Sequence, residues 1–330
     1  MSTSITRRYL VRAGVVTTLA AAAPSLALAA DAPAENRVCK TLGIEKPVVQ
    51  AFMNELTSPE LAAAVSNAGG LGILGMPDED ALDATLALTD KPFAVAHYTK
   101  MMDDDYLAML KDKGVTTLLI PVAENDAEPI AHLKDEGFTV IGKVLGNLDY
   151  MTDLKDAGID VLAPIGYGAG GCGPNHKIPF IDLLAEYRDK ITVPMLAAGG
   201  IVNARTARSA VAMGAEGTYC GSAFLLAQES PCSDGAKQVI INTRAEDMVE
   251  IPVGFGLIRA TKTQRSQDAV AMIGTASESD IYASVVGWAP AMRDGTYDDF
   301  FVNCGAAANL LNEVRPAADI VDDIASAFQA

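Results

Sequence analysis

The sequence is short of positive charge, of cysteine and of histidine. Its 330 residues include 25 Lys and Arg against 42 Asp and Glu, which gives a formal net charge of −17. Such an excess of carboxylates repels phosphate backbones and anionic lipid, which argues against a nucleic-acid-binding or basic membrane-surface protein. Five cysteines are too few for a disulfide scaffold, and an odd number leaves one unpaired within the chain. Half of the residues are hydrophobic, which is enough for a large core.

The first 29 residues form a segment of different composition, because they contain no acidic side chain. The adjacent Arg7 and Arg8 are typical of twin-arginine export signals, and the apolar run Ala13–Ala23 is too short to span a bilayer. Small residues suited to signal-peptide cleavage follow. The sequence therefore predicts a twin-arginine signal peptide over residues 1–29 and a periplasmic mature chain over 30–330, with no stable membrane insertion after cleavage. Because this route carries folded proteins, the signal also hints at a bound cofactor.

Short apolar runs alternate with helical segments along most of the mature chain. Near-continuous apolar runs are typical of parallel strands that are buried on both faces. The eight predicted strands are Val48–Phe52, Gly72–Leu74, Phe93–Ala96, Thr117–Ile120, Thr139–Val144, Val161–Ile165, Val193–Ala197 and Gly217–Cys220. Eight strands that alternate with helices predict an α/β protein, a single (β/α)8 TIM barrel, with a doubly wound open sheet as the alternative. From about residue 230 onward we expect a helical extension that packs against the barrel.

Glycines follow the seventh and eighth predicted strands, where barrels of this class bind phosphate. Gly199 and Gly200 come after the seventh strand, and Gly221 comes after the eighth, between Cys220 and Ser222. Without side chains in the way, backbone N–H groups approach an oxyanion closely. This arrangement explains how an acidic chain without a basic motif binds a phosphate group.

The loop after the sixth predicted strand carries the candidates for proton transfer. Gly166–Gly171 matches a dinucleotide-binding glycine pattern, but Pro174 and Pro179 exclude the helix that such a site requires. The loop is instead expected to present Cys172 over the barrel mouth, with His176 four residues later. Two further residues are expected near the mouth, His97 after the third strand and Lys143 near the end of the fifth.

Several longer motifs, in a fixed order, resemble the nitronate monooxygenase (2-nitropropane dioxygenase) family over roughly residues 42–230. The motifs are Val49–Met53, Ser58–Gly72, Ala169–Gly171, Pro194–Ile201, Met213–Gly217, Gly221–Leu225 and Gln228–Ser230, with weaker echoes at Cys304–Ala308 and Ala318–Val321. The resemblance implies an FMN-containing barrel whose members oxidise nitronates or reduce quinones or enoyl thioesters.

The resemblance also assigns residues to the flavin. It implies that Gly170, Gly171 and Gly200 line FMN, with Gly199 beside them. Tyr219, Cys220, Gly221 and Ser222 would cradle the phosphate. Met53 would lie beside the isoalloxazine. Separately from the resemblance, we expect Lys143 to meet a phosphate or the flavin ring, because it lies near the end of the fifth predicted strand.

The sequence departs from the family pattern on the substrate side. Cys172 stands where the family has the histidine often assigned as catalytic base, and Ile165 stands where it has a flavin-contacting glutamine. Phe52 replaces a proline, and Ala96 replaces an asparagine. We therefore expect a flavoprotein that acts outside the cytoplasm on a small organic substrate, with a quinone, a cytochrome or oxygen as electron partner. Cys172 or His176 would move the proton.

Two other functions are compatible with the same barrel. One is a relative of inosine monophosphate dehydrogenase, in which Cys172 would be a nucleophile on the glycine loop. The other is a periplasmic binding protein that kept the scaffold and lost catalysis. Bound nucleotide without yellow colour would favour the first, and bound flavin that no donor reduces would favour the second.

Overall fold

The computed structural model describes residues 35–122, 127–145, 150–254 and 256–329. The predicted signal peptide, residues 1–29, lies outside the described residues. The strands are β1 (Val48–Gln50), β2 (Gly72–Gly75), β3 (Phe93–Ala96), β4 (Thr117–Val122), β5 (Thr139–Val144), β6 (Val161–Pro164), β7 (Cys172–Gly173), β8 (Leu196–Ala198), β9 (Gly217–Cys220), β10 (Met248–Val253) and β11 (Gly256–Thr261).

The helices lie mainly between the strands and along the last third of the chain. They are α1 (Arg37–Leu42), α2 (Pro59–Asn67), α3 (Glu79–Leu88), α4 (Asp104–Asp112), α5 (Ala127–Asp135), α6 (Met151–Asp156), α7 (Phe180–Tyr187), α8 (Ala204–Ala212), α9 (Ser222–Leu225), α10 (Asp234–Asn242), α11 (Gln264–Ala271), α12 (Glu278–Val285), α13 (Trp288–Asp294) and α14 (Ala317–Ala325). Within the described ranges, none of these helices has the length and hydrophobicity needed to cross a bilayer.

Eight of the strands form the predicted closed parallel barrel. Strands β2 to β6 pair in chain order, and β9 pairs with both β1 and β8. Three single bridges join these sheets into one ring, Val49 with Leu71, Leu162 with Met195 and Ile165 with Ala198. The (β/α)8 prediction is therefore confirmed, and every barrel strand occurs within two or three residues of its predicted position.

The core has two layers, because successive side chains of a strand point to opposite faces. In β3, Ala94 and Ala96 point into the barrel, while Phe93 and Val95 pack against the outer helices. The amino-terminal end of the barrel is closed by α1, whose Val38 and Leu42 join the interior cluster. Arg37 fixes α1 there through Glu216, with Nε 2.5 Å from a carboxylate oxygen, and through the Thr192 carbonyl.

The expectation of a wholly helical region after residue 230 is wrong in one place. Between α10 and α11 the chain forms a β-hairpin of β10 and β11, and β11 also pairs with the short β7. The physical reason is a period-two pattern: in β10, Ile251 and Val253 are buried, whereas the residues between and before them are only partly so. The other predicted helices are present, including α14.

Candidate active site

A cavity of about 720 Å³ opens at the carboxyl ends of the barrel strands. Its size is typical of sites for small molecules and cofactors, and its position is the one at which barrels of this class carry their active sites. Its walls come from the loops after several barrel strands and from the last third of the chain, including Tyr282, Trp288 and the segment Asn303–Gly305.

One wall of the cavity is bare backbone from the loops after β8 and β9. Gly199 and Gly200 have φ values of +93° and +101°, a region that favours glycine. A Cβ atom at Gly199 would lie 2.4 Å from the Gly166 carbonyl oxygen, whereas one at Gly200 would meet open space. Within the described residues, the backbone N–H groups of Gly200, Gly221 and Ser222 donate to no other group of the chain. This wall therefore offers free donors to an anion.

The glycine loop after β6 forms a second wall, and the segment after residue 302 holds it in place. The side chain of Asn303 accepts a hydrogen bond from the Gly171 backbone N–H and donates to the Gly171 carbonyl at 3.3 Å. A Cβ atom at Gly170 would lie 2.4 Å from the backbone nitrogen of Gly305. Gly305 in turn donates to Ser222 Oγ at 2.8 Å, so the loop is tied to the bare-backbone wall. Only glycine allows these backbones to approach so closely.

Cys172 and Lys143 influence each other's pKa in this cavity. Both side chains line it, and within the described residues Lys143 forms no ion pair. Burial raises the pKa of the Cys172 thiol, and the Lys143 ammonium acts against that rise. Burial lowers the pKa of Lys143, and Cys172 acts against that fall. The two pKa values therefore shift in opposite directions, that of the thiol upward and that of the amine downward, and each group limits the shift of the other.

Aromatic side chains surround the thiol. Tyr98 and Tyr282 line the cavity, and burial, with Cys172 as a second cause, raises the pKa of each phenol. Tyr219 is buried at the barrel centre, where its hydroxyl accepts a hydrogen bond of 2.9 Å from the Phe52 backbone N–H. These three tyrosines therefore contribute both aromatic rings and hydroxyl groups to the cavity lining.

The structure brings together most of the site residues named from the sequence. Ten of them line the cavity: Met53, Lys143, Gly170, Gly171, Cys172, Gly199, Gly200, Tyr219, Gly221 and Ser222. Phe52 and Ile165, which replace family residues, line it as well.

Three residues do not join the cavity lining. Cys220 is buried within β9, where burial raises the pKa of its thiol to about 12. His176 uses Nδ1 to accept the Ile178 backbone N–H at 3.2 Å, and its buried Nε2 has no partner among the described residues. His97 is buried beside Tyr106, with 4.9 Å between ring centroids. His97 and His176 therefore do not line the cavity that contains Cys172.

Reasoning from the sequence missed the residues that the last third of the chain contributes. The cavity lining includes Tyr282, Trp288, Asn303 and Gly305, although none of these residues lies in a loop that directly follows a barrel strand. The only signal was the weak motif at Cys304–Ala308, which gives no indication of where the segment lies.

Comparisons with known proteins agree with this architecture. A family model described as nitronate monooxygenase matches residues 35–326. A probable nitronate monooxygenase of Staphylococcus aureus (strain MSSA476) is 29% identical over a match that covers 65% of this chain and 74% of the relative. The structure of FabK from Thermotoga maritima is 27% identical, with a TM-score of 0.79, and the match covers 89% of this chain and 96% of that one. Nitroalkane oxidase from Streptomyces ansochromogenes shares the fold, with a TM-score of 0.73 and 22% sequence identity. That match covers 89% of this chain and 98% of the nitroalkane oxidase chain.

Replacing Lys143 should make Cys172 less reactive. Without the ammonium, nothing opposes the effect of burial, so the thiol pKa rises further and a smaller fraction is ionised at a given pH. We expect Lys143→Gln to slow alkylation of Cys172 by iodoacetamide at pH 8 about tenfold, measured by mass spectrometry of the Cys172 peptide. Lys155→Gln on the outer helix α6 is the control. An unchanged rate in Lys143→Gln would contradict the coupling.

Proposed function

This chain belongs to the nitronate monooxygenase family of flavin-dependent oxidoreductases, as its motifs predict, and we propose that it binds FMN and acts outside the cytoplasm on a small organic substrate. One observation carries the proposal. Gly200, Gly221 and Ser222, whose backbone N–H groups have no partner among the described residues, line a cavity that is large enough for a cofactor and a small substrate together.

The residues present fit FMN. The bare-backbone wall would hold the phosphate, because unpaired N–H groups bind an oxyanion without a basic side chain. Gly170 and Gly171 leave room for a flat ring against the glycine loop, and Met53 lines the same cavity. When bound, FMN would supply a two-electron acceptor or donor for the substrate.

The chain's own contribution to chemistry would be proton control by Cys172 and Lys143. Because burial raises the thiol pKa, Cys172 Sγ holds its proton at neutral pH more firmly than an exposed thiol does. Lys143 stabilises the thiolate, so the pair can accept a proton from a substrate or return one. The apolar side chains of Phe52 and Ile165 line the same cavity, and they would keep water away from the proton transfer.

Export would change the electron partner. NAD(P)H is not available outside the cytoplasm, so a quinone, a cytochrome or oxygen would have to complete the redox cycle. This part of the proposal is supported by residues 1–29 alone, through the paired arginines and the short apolar run.

The first test concerns the cofactor. We expect the purified mature protein to be yellow and to release FMN on denaturation. In Gly221→Val the added side chain would occupy the bare-backbone wall, where a Cβ atom meets only ordinary contacts, so the fold should persist. FMN affinity, measured by titration of the apoprotein, should fall more than about tenfold. Ala108→Val, on the exposed face of α4 and outside the cavity, is the control. Colourless protein that does not bind added FMN would reject the proposal.

The second test concerns the thiol. Because a hydroxyl ionises far less readily than a thiol, Cys172→Ser should lower kcat about a hundredfold or more if Cys172 moves the proton. FMN content should stay the same. Cys232→Ser changes a buried cysteine outside the cavity and serves as the matched control. If Cys172→Ser and wild type turn over equally, the thiol has no part in the reaction.

The third test concerns export. Replacing both Arg7 and Arg8 by lysine should leave the precursor in the cytoplasmic fraction, because the twin-arginine route reads the paired guanidinium groups. Cell fractionation followed by immunoblotting measures the distribution, and Arg12→Lys is the control. Continued accumulation of the double variant in the periplasm would rule out this route.

A further inference from the structure

A partly buried ion pair on the β-hairpin contacts the glycine loop that follows β6. Glu250 in β10 and Arg259 in β11 lie directly opposite each other in the antiparallel register. Arg259 Nη2 lies 2.7 Å from Glu250 Oε1, with the two side chains 6% and 35% exposed. The pair is therefore largely shielded from water, although it sits at the edge of the barrel.

Both members of the pair reach across to the loop after β6. Arg259 Nη1 donates to the Ala169 carbonyl at 3.3 Å, and its guanidinium lies over the Tyr167 ring, 5.0 Å from the centroid. The Tyr167 hydroxyl donates to Glu250 Oε2 at 2.6 Å. Burial alone would raise the pKa of Glu250, but the hydrogen bonds from Tyr167 and Arg259 outweigh it and lower that pKa. The carboxylate therefore stays ionised and keeps both bonds.

The same hairpin also pairs with the backbone at Cys172. Ile258, the residue before Arg259, pairs with Cys172 in the antiparallel register of β11 and β7. The loop between Tyr167 and Cys172 contains Gly168, Gly170 and Gly171, so its own residues restrain it little. Its shape must come from partners outside the loop.

We propose that Arg259, Glu250 and Tyr167 are positioning residues that hold Ala169–Cys172 in the shape needed by the cavity, an inference that rests on the proposed function. Exposed and buried ion pairs alike add little net stability, so the value of the partly buried pair of Glu250 and Arg259 lies in the geometry that it enforces. Arginine suits this role because its planar fork donates to Glu250 and to Ala169 at once.

Arg259→Lys tests the proposal because it keeps the charge and removes the fork. We expect alkylation of Cys172 by iodoacetamide in the cofactor-free protein to become about tenfold faster, since the loosened loop exposes the thiol. In the FMN-loaded enzyme, kcat should fall about tenfold while KM changes less. Tyr167→Phe, which keeps the ring and loses one hydrogen bond, should change both quantities in the same direction by a smaller factor.

The matched control is Asp160→Asn, which removes the charge from a half-buried pair with Lys134 at the amino-terminal end of the barrel. It should reduce thermal stability and leave Cys172 alkylation and kcat unchanged. If Arg259→Lys and Tyr167→Phe alter these readouts no more than Asp160→Asn does, the positioning role is overturned. Because alkylation is measured without cofactor, it decides the role of the hairpin even if the wild-type protein binds no FMN.

Discussion

Contact between bare backbones governs the shape of the cavity. Gly199 packs against Gly166, and Gly170 packs against Gly305, at distances that leave no room for a Cβ atom. These contacts draw the loops after β6 and β8 and the segment after residue 302 into one surface. Because the backbones are used for packing and not shielded by side chains, the N–H groups of Gly200, Gly221 and Ser222 remain free to bind a ligand.

The proton transfer that we propose depends on the thiol of Cys172 and the buried amine of Lys143. A histidine titrates near neutral pH without help, whereas Cys172 depends on Lys143 to counter the effect of burial. Each group opposes the shift that burial causes in the pKa of the other, so a change at one of them alters the protonation of the other.

The barrel could be predicted from the sequence because its signal is local and repeated. Each strand is a short apolar run, and several helices have their own start signal, such as Ser58 before Pro59 or Asp78 before α3. The glycine loops could be placed for the same reason, since the end of a strand fixes where its loop lies. The hydrogen bonds between the Asn303 side chain and the Gly171 backbone could not be predicted, because the sequence around a segment does not indicate which distant loop that segment covers. His176 was misleading in a similar way, since nearness to Cys172 in sequence does not bring its ring into the cavity.

The pairing of β7 with β11 has a consequence for biosynthesis. All eight barrel strands leave the ribosome before residues 256–261, which supply the partner of Cys172. A nascent chain therefore contains every barrel strand before it contains the strand that pairs with Cys172. A premature stop after β9 would leave all eight barrel strands in the chain, but it would remove β11 and the buried residues of α13 and α14 that belong to the same hydrophobic core.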